Sequence, residues 1–326
     1  MISIAFFNNK GAVGKTSLVY HLAWMMADLG KRTLAVDWDP QCNLTSIFLD
    51  SAQVEALWPE DNDRLTIYGA LQGAFQGTGK VVKPHLELLN DNLALLPGDL
   101  LLSSIEDTLS LSWNACQAGD ARAFRDTTAM YEAARLAAED LSAEITLIDV
   151  GPNLGAINRS ALLAADFVVT PLAPDLFSLQ GLRNLGPKLQ EWRNLWREIK
   201  EKSKVKDLHL PPGSMKPLGY VLMQHAIRDK RPVASYERWM VRIPGVYRSS
   251  VLGDSTPAPD LPSEDDYCLA MFRHYRSLMP MAMEARKPIF HLKPADGAIG
   301  AHFNAVRDCG REFNDLAEKI LGLINL

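Results

Sequence analysis

The first stretch whose residue types could do chemistry is a short loop near the start of the chain, residues 10–17, which reads KGAVGKTS. Gly11 and Gly14 allow a tight backbone turn that points amide groups at phosphate oxygens. A lysine and a hydroxyl residue, Lys15 and Thr16, follow at a spacing typical of phosphate-binding loops. We therefore predict that Lys15 contacts the β- and γ-phosphates of a nucleotide and that Thr16 binds Mg²⁺ through its hydroxyl.

The loop departs from the general pattern G-x-x-x-x-G-K-[ST] in two ways. Asn9 stands where the pattern has its first glycine, and a second lysine, Lys10, precedes the usual one. One lysine suffices to hold a nucleotide within one subunit, so Lys10 can point away from its own phosphates. In a face-to-face dimer it could reach the partner's nucleotide, as an arginine finger does. A solvated loop lysine is the alternative, and local chemistry does not decide between the two.

Acidic side chains follow two further apolar runs. Asp37 and Asp39 lie two residues apart in VDWDPQCN, so they share a face if the strand extends that far. Asp149 ends the run EITLIDV, and Gly151 follows it with an amide that could approach the γ-phosphate. Carboxylates beside a phosphate loop suit Mg²⁺ and an attacking water. We predict a metal site at Thr16, Asp37, Asp39 and Asp149; a helix N-cap or an ordinary strand-end aspartate is the plainer alternative.

The elements that must position these residues are apolar strands alternating with helical segments. Apolar runs predict strands at 2–7, 33–39, 93–98, 144–150, 167–174 and 218–223. Such strands, separated by helices, indicate a parallel sheet whose ligands bind at the carboxyl ends. We therefore expect an α/β fold of the P-loop NTPase type, a mostly parallel twisted sheet of about seven or eight strands flanked by helices on both faces. We treat 1–326 as one domain, with a nucleotide core to about residue 225 and a C-terminal helical portion over 226–326.

Composition excludes several classes of protein. A net charge of −5 gives no global reason to expect nucleic-acid binding, although a local basic patch could supply it. The four cysteines are scattered and form no C-x-x-C pair, which disfavours a disulfide framework or a zinc site and favours a reducing cytoplasm. We expect no secretory leader in the opening MISIAFF and no membrane-spanning helix.

Three motifs together carry a family resemblance: KGAVGKTS, VDWDPQCN and LIDVGPNLGAINRSALLAADFVVTPLAPDLFSLQGL. They resemble the ParA/MinD family of deviant Walker A ATPases, in particular the small ParA-like partition ATPases without an N-terminal helix-turn-helix. The resemblance implies that Lys10 is the signature lysine acting across an ATP-sandwich dimer. It also implies that Asp39 positions the attacking water, with Lys10, Lys15 and Asp39 forming the catalytic set. Ala12 stands where the family usually has glycine, and Cys42 stands where the family often has glycine.

The same resemblance implies ATP and Mg²⁺ as cofactors. The residues predicted to bind the nucleotide are Gly11, Ala12, Val13, Gly14, Lys15, Thr16, Ser17, Gly151, Pro171, Pro174, Met223 and Gln224. The last four are expected near the adenine, where the Gln224 amide could donate and accept hydrogen bonds. No N-K-x-D guanine motif is present, so we expect ATP rather than GTP.

We expect a homodimer on ATP binding and slow hydrolysis that a ParB-like protein or cargo adaptor stimulates. Such a protein would segregate or position DNA or another cargo through nonspecific DNA binding. A basic segment motivates the DNA prediction through Arg228, Lys230, Arg231, Arg238, Arg242 and Arg248. Cations of this kind can hold a phosphate backbone. A solvated charged face is the alternative.

Two other functions stay open. A MinD-like membrane cycle needs an amphipathic anchor, and residues 311–326 carry Phe313, Leu316, Ile320 and Leu323 at helical spacing. Their basic charge is low, so we interpret this segment as a core-packed helix and expect no membrane association. An ATP switch within another assembly, for cargo placement or defence, is the second alternative. We expect a cytoplasmic protein, associated with the nucleoid if it binds DNA.

Overall fold

The computed structural model describes residues 1–59, 63–77, 79–205, 207–225, 227–228, 231–232, 234–275 and 277–326. Only the backbone is described at 224–225, 227–228, 231–232, 234–236 and 301. In the described residues, no helix is both long enough and apolar enough to cross a bilayer.

A central sheet of eight strands organises the molecule. The strands of the described chain, including two that lie outside this sheet, are β1 (Ile2–Phe6), β2 (Thr33–Asp37), β3 (Glu87–Asn90), β4 (Leu93–Leu96), β5 (Ile145–Asp149), β6 (Phe167–Leu172), β7 (Lys216–His225), β8 (Ile227–Arg228), β9 (Arg231–Pro232) and β10 (Cys268–Arg273). The order across the sheet is β10-β7-β6-β1-β5-β2-β4-β3, and β8 pairs with β9 separately. Among the strand pairs that the structure describes in the large sheet, β3–β4 is antiparallel and the others are parallel. The predicted mostly parallel sheet of seven or eight strands is confirmed.

Helices cover both faces of this sheet. The helices of the described chain are α1 (Lys15–Asp28), α2 (Asn43–Phe48), α3 (Ser51–Leu57), α4 (Ile67–Gln76), α5 (Glu106–Gln117), α6 (Ala121–Leu141), α7 (Ala156–Ala164), α8 (Leu176–Lys202), α9 (Ala234–Met240), α10 (Ile243–Val246), α11 (Leu278–Ala285) and α12 (Ala301–Ile324). Alternate strand residues face opposite sides. Ile4 and Phe6 belong to the buried cluster that contains α1 and α12, whereas Ala5 and Phe7 belong to the cluster of α5, α6, α7 and α8.

The sequence patterns located six strands of the sheet and missed two. A strand forms at each of the six predicted apolar runs, with its ends within two residues of the predicted ones. The missed strands, β3 and β10, are the two edges of the sheet. The chain after residue 225 therefore supplies a strand of the central sheet as well as helices. The division of the chain at that point stays a prediction.

Candidate nucleotide-binding site

Three adjacent central strands bring the predicted site residues to one edge of the sheet. β5 lies between β1 and β2, and its last residue, Asp149, is in register with Phe6 on one side and Asp37 on the other. The glycine loop leaves β1 at this edge. Distant parts of the sequence therefore meet because parallel strands end together.

The loop turns through two residues in the left-handed region of the backbone. Gly14 has φ of 85° immediately before α1 begins at Lys15, and Ala12 has φ of 59°. Glycine adopts this region without the steric cost that a Cβ brings. Ala12 therefore adopts a backbone conformation that favours glycine, the residue that the family usually has at this position.

Lys15, Thr16 and Asp149 form one polar cluster, in which Lys15 and Asp149 are buried and Thr16 is half-buried. The Lys15 ammonium makes an ion pair with Asp149 Oδ1, and Thr16 Oγ1 donates to Asp149 Oδ2 at 2.8 Å. The Lys15 side chain is 8% exposed, and that of Asp149 is 0% exposed. Burial raises the pKa of Asp149, while the adjacent Lys15 charge acts in the opposite direction. The predicted phosphate lysine and metal ligands are brought together.

Asp37 is fully enclosed and held by the segment that follows it. Its Oδ2 accepts hydrogen bonds from Thr45 N and from Thr45 Oγ1, both at 2.7 Å. Burial, together with the neighbouring Asp149 charge, raises the pKa of Asp37 to about 7. A Cβ added at Gly98 would lie 2.9 Å from the Asp37 carboxyl carbon, so only glycine fits there without displacement. Sequence reasoning did not predict the roles of Thr45 and Gly98. The Pro-Gly pair that follows β4 could have indicated a special backbone position at Gly98.

Asp39 and Gly151 are neighbours across the site. A Cβ added at Gly151 would lie 3.4 Å from Asp39 Oδ1, and the same oxygen accepts from Gln41 N at 3.0 Å. The Gly151 amide donates to Asn158 Oδ1 at 3.1 Å, and Asn158 Nδ2 donates back to Gly151 O at 2.8 Å. Sequence reasoning missed Asn158. The amide that we predict to approach the γ-phosphate is thus bonded to a side chain of α7.

Lys10 points away from the buried cluster and lies against the start of α8. Its ammonium makes an ion pair with Asp175, whose other oxygen caps α8 by accepting from Ser178 N at 2.9 Å. The Lys10 ammonium also lies 6.0 Å from the ring centroid of Phe177, which is 72% exposed. The two lysines of the loop therefore have different carboxylate partners.

The donor set at the sheet edge fits Mg²⁺. The ion prefers oxygen ligands and is commonly held by one or two carboxylates together with waters and substrate phosphates. A hydroxyl and a carboxylate stand 2.8 Å apart at Thr16 and Asp149, and Asp37 and Asp39 lie beside them. In the described chain, no group of three or more His, Cys, Asp or Glu residues could hold a metal ion, so Mg²⁺ at this edge would need water and phosphate oxygens as further ligands.

A small cavity of about 80 Å³ opens beside the loop. It is lined by Gly14, Ser17, His21, Met223, Phe272, Arg273, His274, Tyr275, Met279 and Phe313. Met223 was predicted to be near the base, and the side chain of Gln224 lies outside the described residues. Pro171 and Pro174, which we also predicted near the base, are not in this lining. The Pro171 carbonyl accepts a hydrogen bond from Asn8 Nδ2 at 2.7 Å, and Pro174 precedes Asp175, the N-cap of α8. Sequence patterns missed the residues of β10, α11 and α12.

The predicted basic patch is partly engaged inside the protein. Arg238 and Arg242 are exposed and lie 4.6 Å and 5.6 Å from the ring centroid of Trp239. Arg248 instead donates to Asp265 at 2.8 Å and has a side chain only 17% exposed. Lys230 and the side chains of Arg228 and Arg231 lie outside the described residues. Two of the six predicted cations are therefore seen to face solvent.

Residues 1–202 match the family model AAA_31, described as an AAA domain. The chain belongs to this ParA/MinD-like family. It is 33% identical to the chromosome-partitioning ATPase Soj of Thermus thermophilus over 58% of this chain and 62% of that protein. It is 32% identical to the chromosome partitioning protein ParA of Caulobacter vibrioides, over 56% of this chain and 60% of ParA. The chain thus spans about three fifths of the length of these two family relatives.

Solved structures show the same fold along nearly the whole chain. Protein DIP2308 from Corynebacterium diphtheriae has a TM-score of 0.73 at 25% identity, covering 99% of both chains. An ATP complex of a McdA variant from Cyanothece has a TM-score of 0.64 at 16% identity, covering 98% of this chain and 96% of the other. A plasmid partition protein from Borrelia burgdorferi has a TM-score of 0.54 at 16% identity and covers 99% of both chains. These structures bear on the fold of this family member and not on its cargo.

Proposed function

We propose that the protein is a ParA-type ATPase that binds MgATP, dimerises face to face and hydrolyses ATP slowly until a partner stimulates it. The observation that carries this proposal is the polar cluster of Lys15, Thr16 and Asp149 at the start of α1. A lysine, a hydroxyl and a carboxylate at a helix N-terminus are the groups that a MgATP site of this class requires.

Lys15 changes partner when the nucleotide binds. In the structure it neutralises Asp149, a carboxylate with 0% exposure. Triphosphate oxygens offer the ammonium a stronger set of negative acceptors, so Lys15 moves onto the phosphates. Thr16 and Asp149, supported by Asp37 and Asp39, would then hold Mg²⁺, which supplies charge neutralisation at the phosphates.

Asp39 is proposed to orient the attacking water. It lies at the sheet edge next to Gly151, and its carboxylate is fixed by the Gln41 amide at 3.0 Å. Water attacks the γ-phosphorus, the bond to the β–γ bridging oxygen breaks, and ADP and phosphate form. The Gly151 amide must release Asn158 Oδ1 before it can donate to the γ-phosphate.

Lys10 is proposed to act on the partner subunit's nucleotide. Its ion pair with Asp175 holds it at the surface of its own subunit, with both side chains about one third exposed. Exposed or half-exposed ion pairs contribute roughly 0–1 kcal/mol, so the partner's phosphates can compete for this lysine. The γ-phosphate then links two subunits, and ATP becomes the condition for dimerisation.

The cargo is proposed to be DNA or an object carried along DNA. Support comes from the partition functions named for Soj and ParA and from the exposed Arg238 and Arg242. Both guanidinium groups lie near Trp239, which holds them at one surface. A ParB-like protein or cargo adaptor would trigger hydrolysis.

A membrane cycle is less favoured because the apolar face of α12 is used inside the protein. Phe313, Leu316 and Ile320 are buried in the cluster that contains α1, and Leu323 is 46% exposed. A membrane anchor must leave such a face available. An ATP switch in cargo placement or defence would use the same nucleotide chemistry with another partner.

The test is light scattering after size exclusion with no nucleotide, ADP, ATP or a nonhydrolysable ATP analogue. Wild type should dimerise only with ATP or the analogue, and Asp39→Ala should remain a dimer with ATP. Lys15→Ala should bind no nucleotide, whereas Lys10→Ala should bind ATP and stay monomeric. A wild-type chain with the same mass in every nucleotide state would contradict the proposal.

A further inference from the structure

One polar atom lies buried beside the phosphate loop without a use in the proposed reaction. His21 lines the 80 Å³ cavity that adjoins Gly14 and Ser17, and it is 1% exposed. Its Nε2 has no hydrogen-bond partner anywhere in the part of the chain that the structure describes. A buried acceptor left unpaired is costly, so this atom calls for a ligand or an explanation.

Helix geometry places the His21 ring at the level of the loop. Side chains on an α-helix point back toward its N-terminus, so His21 covers the turn that contains Ser17. His21 Nδ1 lies 2.7 Å from Ser17 O. The imidazole therefore stands next to the first turn of α1, where the phosphate loop ends.

The same contact determines which ring nitrogen carries the proton. A carbonyl oxygen only accepts, so Nδ1 must be the protonated donor and a neutral ring leaves Nε2 with a lone pair. Burial lowers the pKa of His21 to about 4, although the hydrogen bond to Ser17 O acts in the opposite direction, so the ring is neutral at pH 7. His21, one of the residues that line the cavity, thus carries a fixed and unpaired acceptor at Nε2.

The remaining walls suit a flat aromatic ring. Phe313 stacks on the imidazole with ring centroids 5.1 Å apart, and Phe272 stacks on Phe313 at 4.5 Å. Met223 and Met279 add apolar surface. Arg273, His274 and Tyr275 supply polar groups to the lining as well. A base placed here would have apolar contacts on its faces and the His21 imidazole beside it.

We propose that His21 determines base specificity by accepting a hydrogen bond from the exocyclic amine of adenine. Adenine carries an N–H donor at this position, whereas guanine carries a carbonyl acceptor, which would face the His21 lone pair. The inference rests on the proposed ATP function and adds the residue that selects the base.

The test compares three nucleotides by calorimetry on the full chain with Mg²⁺: ATP, purine riboside triphosphate, which lacks the exocyclic amine, and inosine triphosphate, which has a carbonyl there. Wild type should bind ATP roughly tenfold more tightly than purine riboside triphosphate, as expected for one neutral hydrogen bond. It should bind inosine triphosphate more weakly still. His21→Phe should bind ATP and purine riboside triphosphate equally.

Trp24→Phe is the matched control. Trp24 lies on the same helix and packs against Phe48 and His291, but it does not line the cavity. It should keep the wild-type preference. Binding of purine riboside triphosphate by His21→Phe shows that the variant is folded, since that ligand does not need the hydrogen bond. Equal wild-type affinity for ATP and purine riboside triphosphate, or a preference that survives in His21→Phe, overturns the inference. A wild-type chain that binds no triphosphate would instead overturn the proposed function.

Discussion

At the scale of single residues, the two lysines of the loop differ in what their loss leaves behind. Removal of Lys15 leaves Asp149 buried without its cation, whereas removal of Lys10 leaves the Asp175 carboxylate about one third exposed to water. Breaking a buried pair costs about 3–5 kcal/mol, and breaking an exposed one costs roughly 0–1 kcal/mol.

We therefore predict that Lys15→Ala lowers the free energy of unfolding without nucleotide by about 3 kcal/mol. We expect the lower end of the range of about 3–5 kcal/mol because burial already raises the pKa of Asp149. Without Lys15, this carboxylate can take up a proton and so avoid a buried charge. Urea denaturation measures the effect. Lys10→Ala is the control and should stay within about 1 kcal/mol of wild type. Equal losses in the two variants would contradict the burial argument.

Asp175 holds Lys10 on its own subunit and also caps α8. Asn caps a helix about as well as Asp, so Asp175→Asn removes the charge and keeps the cap. We predict that this change strengthens ATP-dependent dimerisation up to about fivefold, the equivalent of a partly exposed ion pair. Sedimentation at several protein concentrations measures the dimer dissociation constant.

A weaker dimer in Asp175→Asn would show that Asp175 supports the assembly instead of restraining Lys10. Asp120→Asn is a suitable control, since Asp120 caps α6 by accepting from Ala123 N at 2.7 Å and has no ion pair with the loop. It should leave the dimer dissociation constant unchanged.

At the scale of elements, the packing of α1 against α12 encloses His21. Its ring stacks on Phe313 and is covered by Phe290 at a centroid distance of 6.0 Å. The pKa of His21 falls from an ordinary value of 6.5 to about 4 because the packed helices exclude water. Between these values the unfolded chain binds a proton at His21 and the folded chain does not.

It follows that this packing loses stability as the pH falls from 6.5 toward 4, by up to roughly 3 kcal/mol. The difference in unfolding free energy between wild type and His21→Phe should be constant above pH 7 and should shift in favour of the variant below pH 6. Asp37, with a pKa of about 7, has the opposite pH effect, but it is common to both proteins and cancels. A difference that does not vary between pH 7 and 5 would exclude a buried neutral imidazole.

At the scale of the whole molecule, the net charge of −5 opposes nucleic-acid binding, so any DNA binding depends on local cations. Arg238 and Arg242 are exposed, whereas Arg248 is held by Asp265. The described part of the basic segment therefore offers two cations to a phosphate backbone.

We predict that a double variant, Arg238→Ala with Arg242→Ala, makes DNA binding less dependent on salt. For the ATP-bound protein on duplex DNA, the negative slope of log affinity against log salt concentration should decrease in magnitude by about 2. Fluorescence anisotropy across a salt series measures this slope. Arg125→Ala, an exposed arginine on α6, is the control and should leave the slope unchanged. DNA binding that does not depend on salt would exclude a phosphate interface at this surface.

The chain's own sequence determined the fold class and the centre of the site. Continuous apolar runs must be buried, and a parallel sheet buries them on both faces. The loop KGAVGKTS and the residues Asp37 and Asp149 lie at the carboxyl ends of these runs, so their meeting at one edge of the sheet was predictable. These residues are local in sequence to the strands that position them. The family resemblance added roles for Lys10 and Asp39, which stay predictions.

Only the tertiary structure decided which distant groups meet there. Asp175 reaches Lys10 from 165 residues away, and Phe272 and Phe313 line the cavity beside Ser17. Periodicity indicates which face of an element is buried, but it does not indicate which element covers it. The edge strand β10 and the partners of α1 depend on packing across the whole sheet, and so does the unpaired nitrogen of His21.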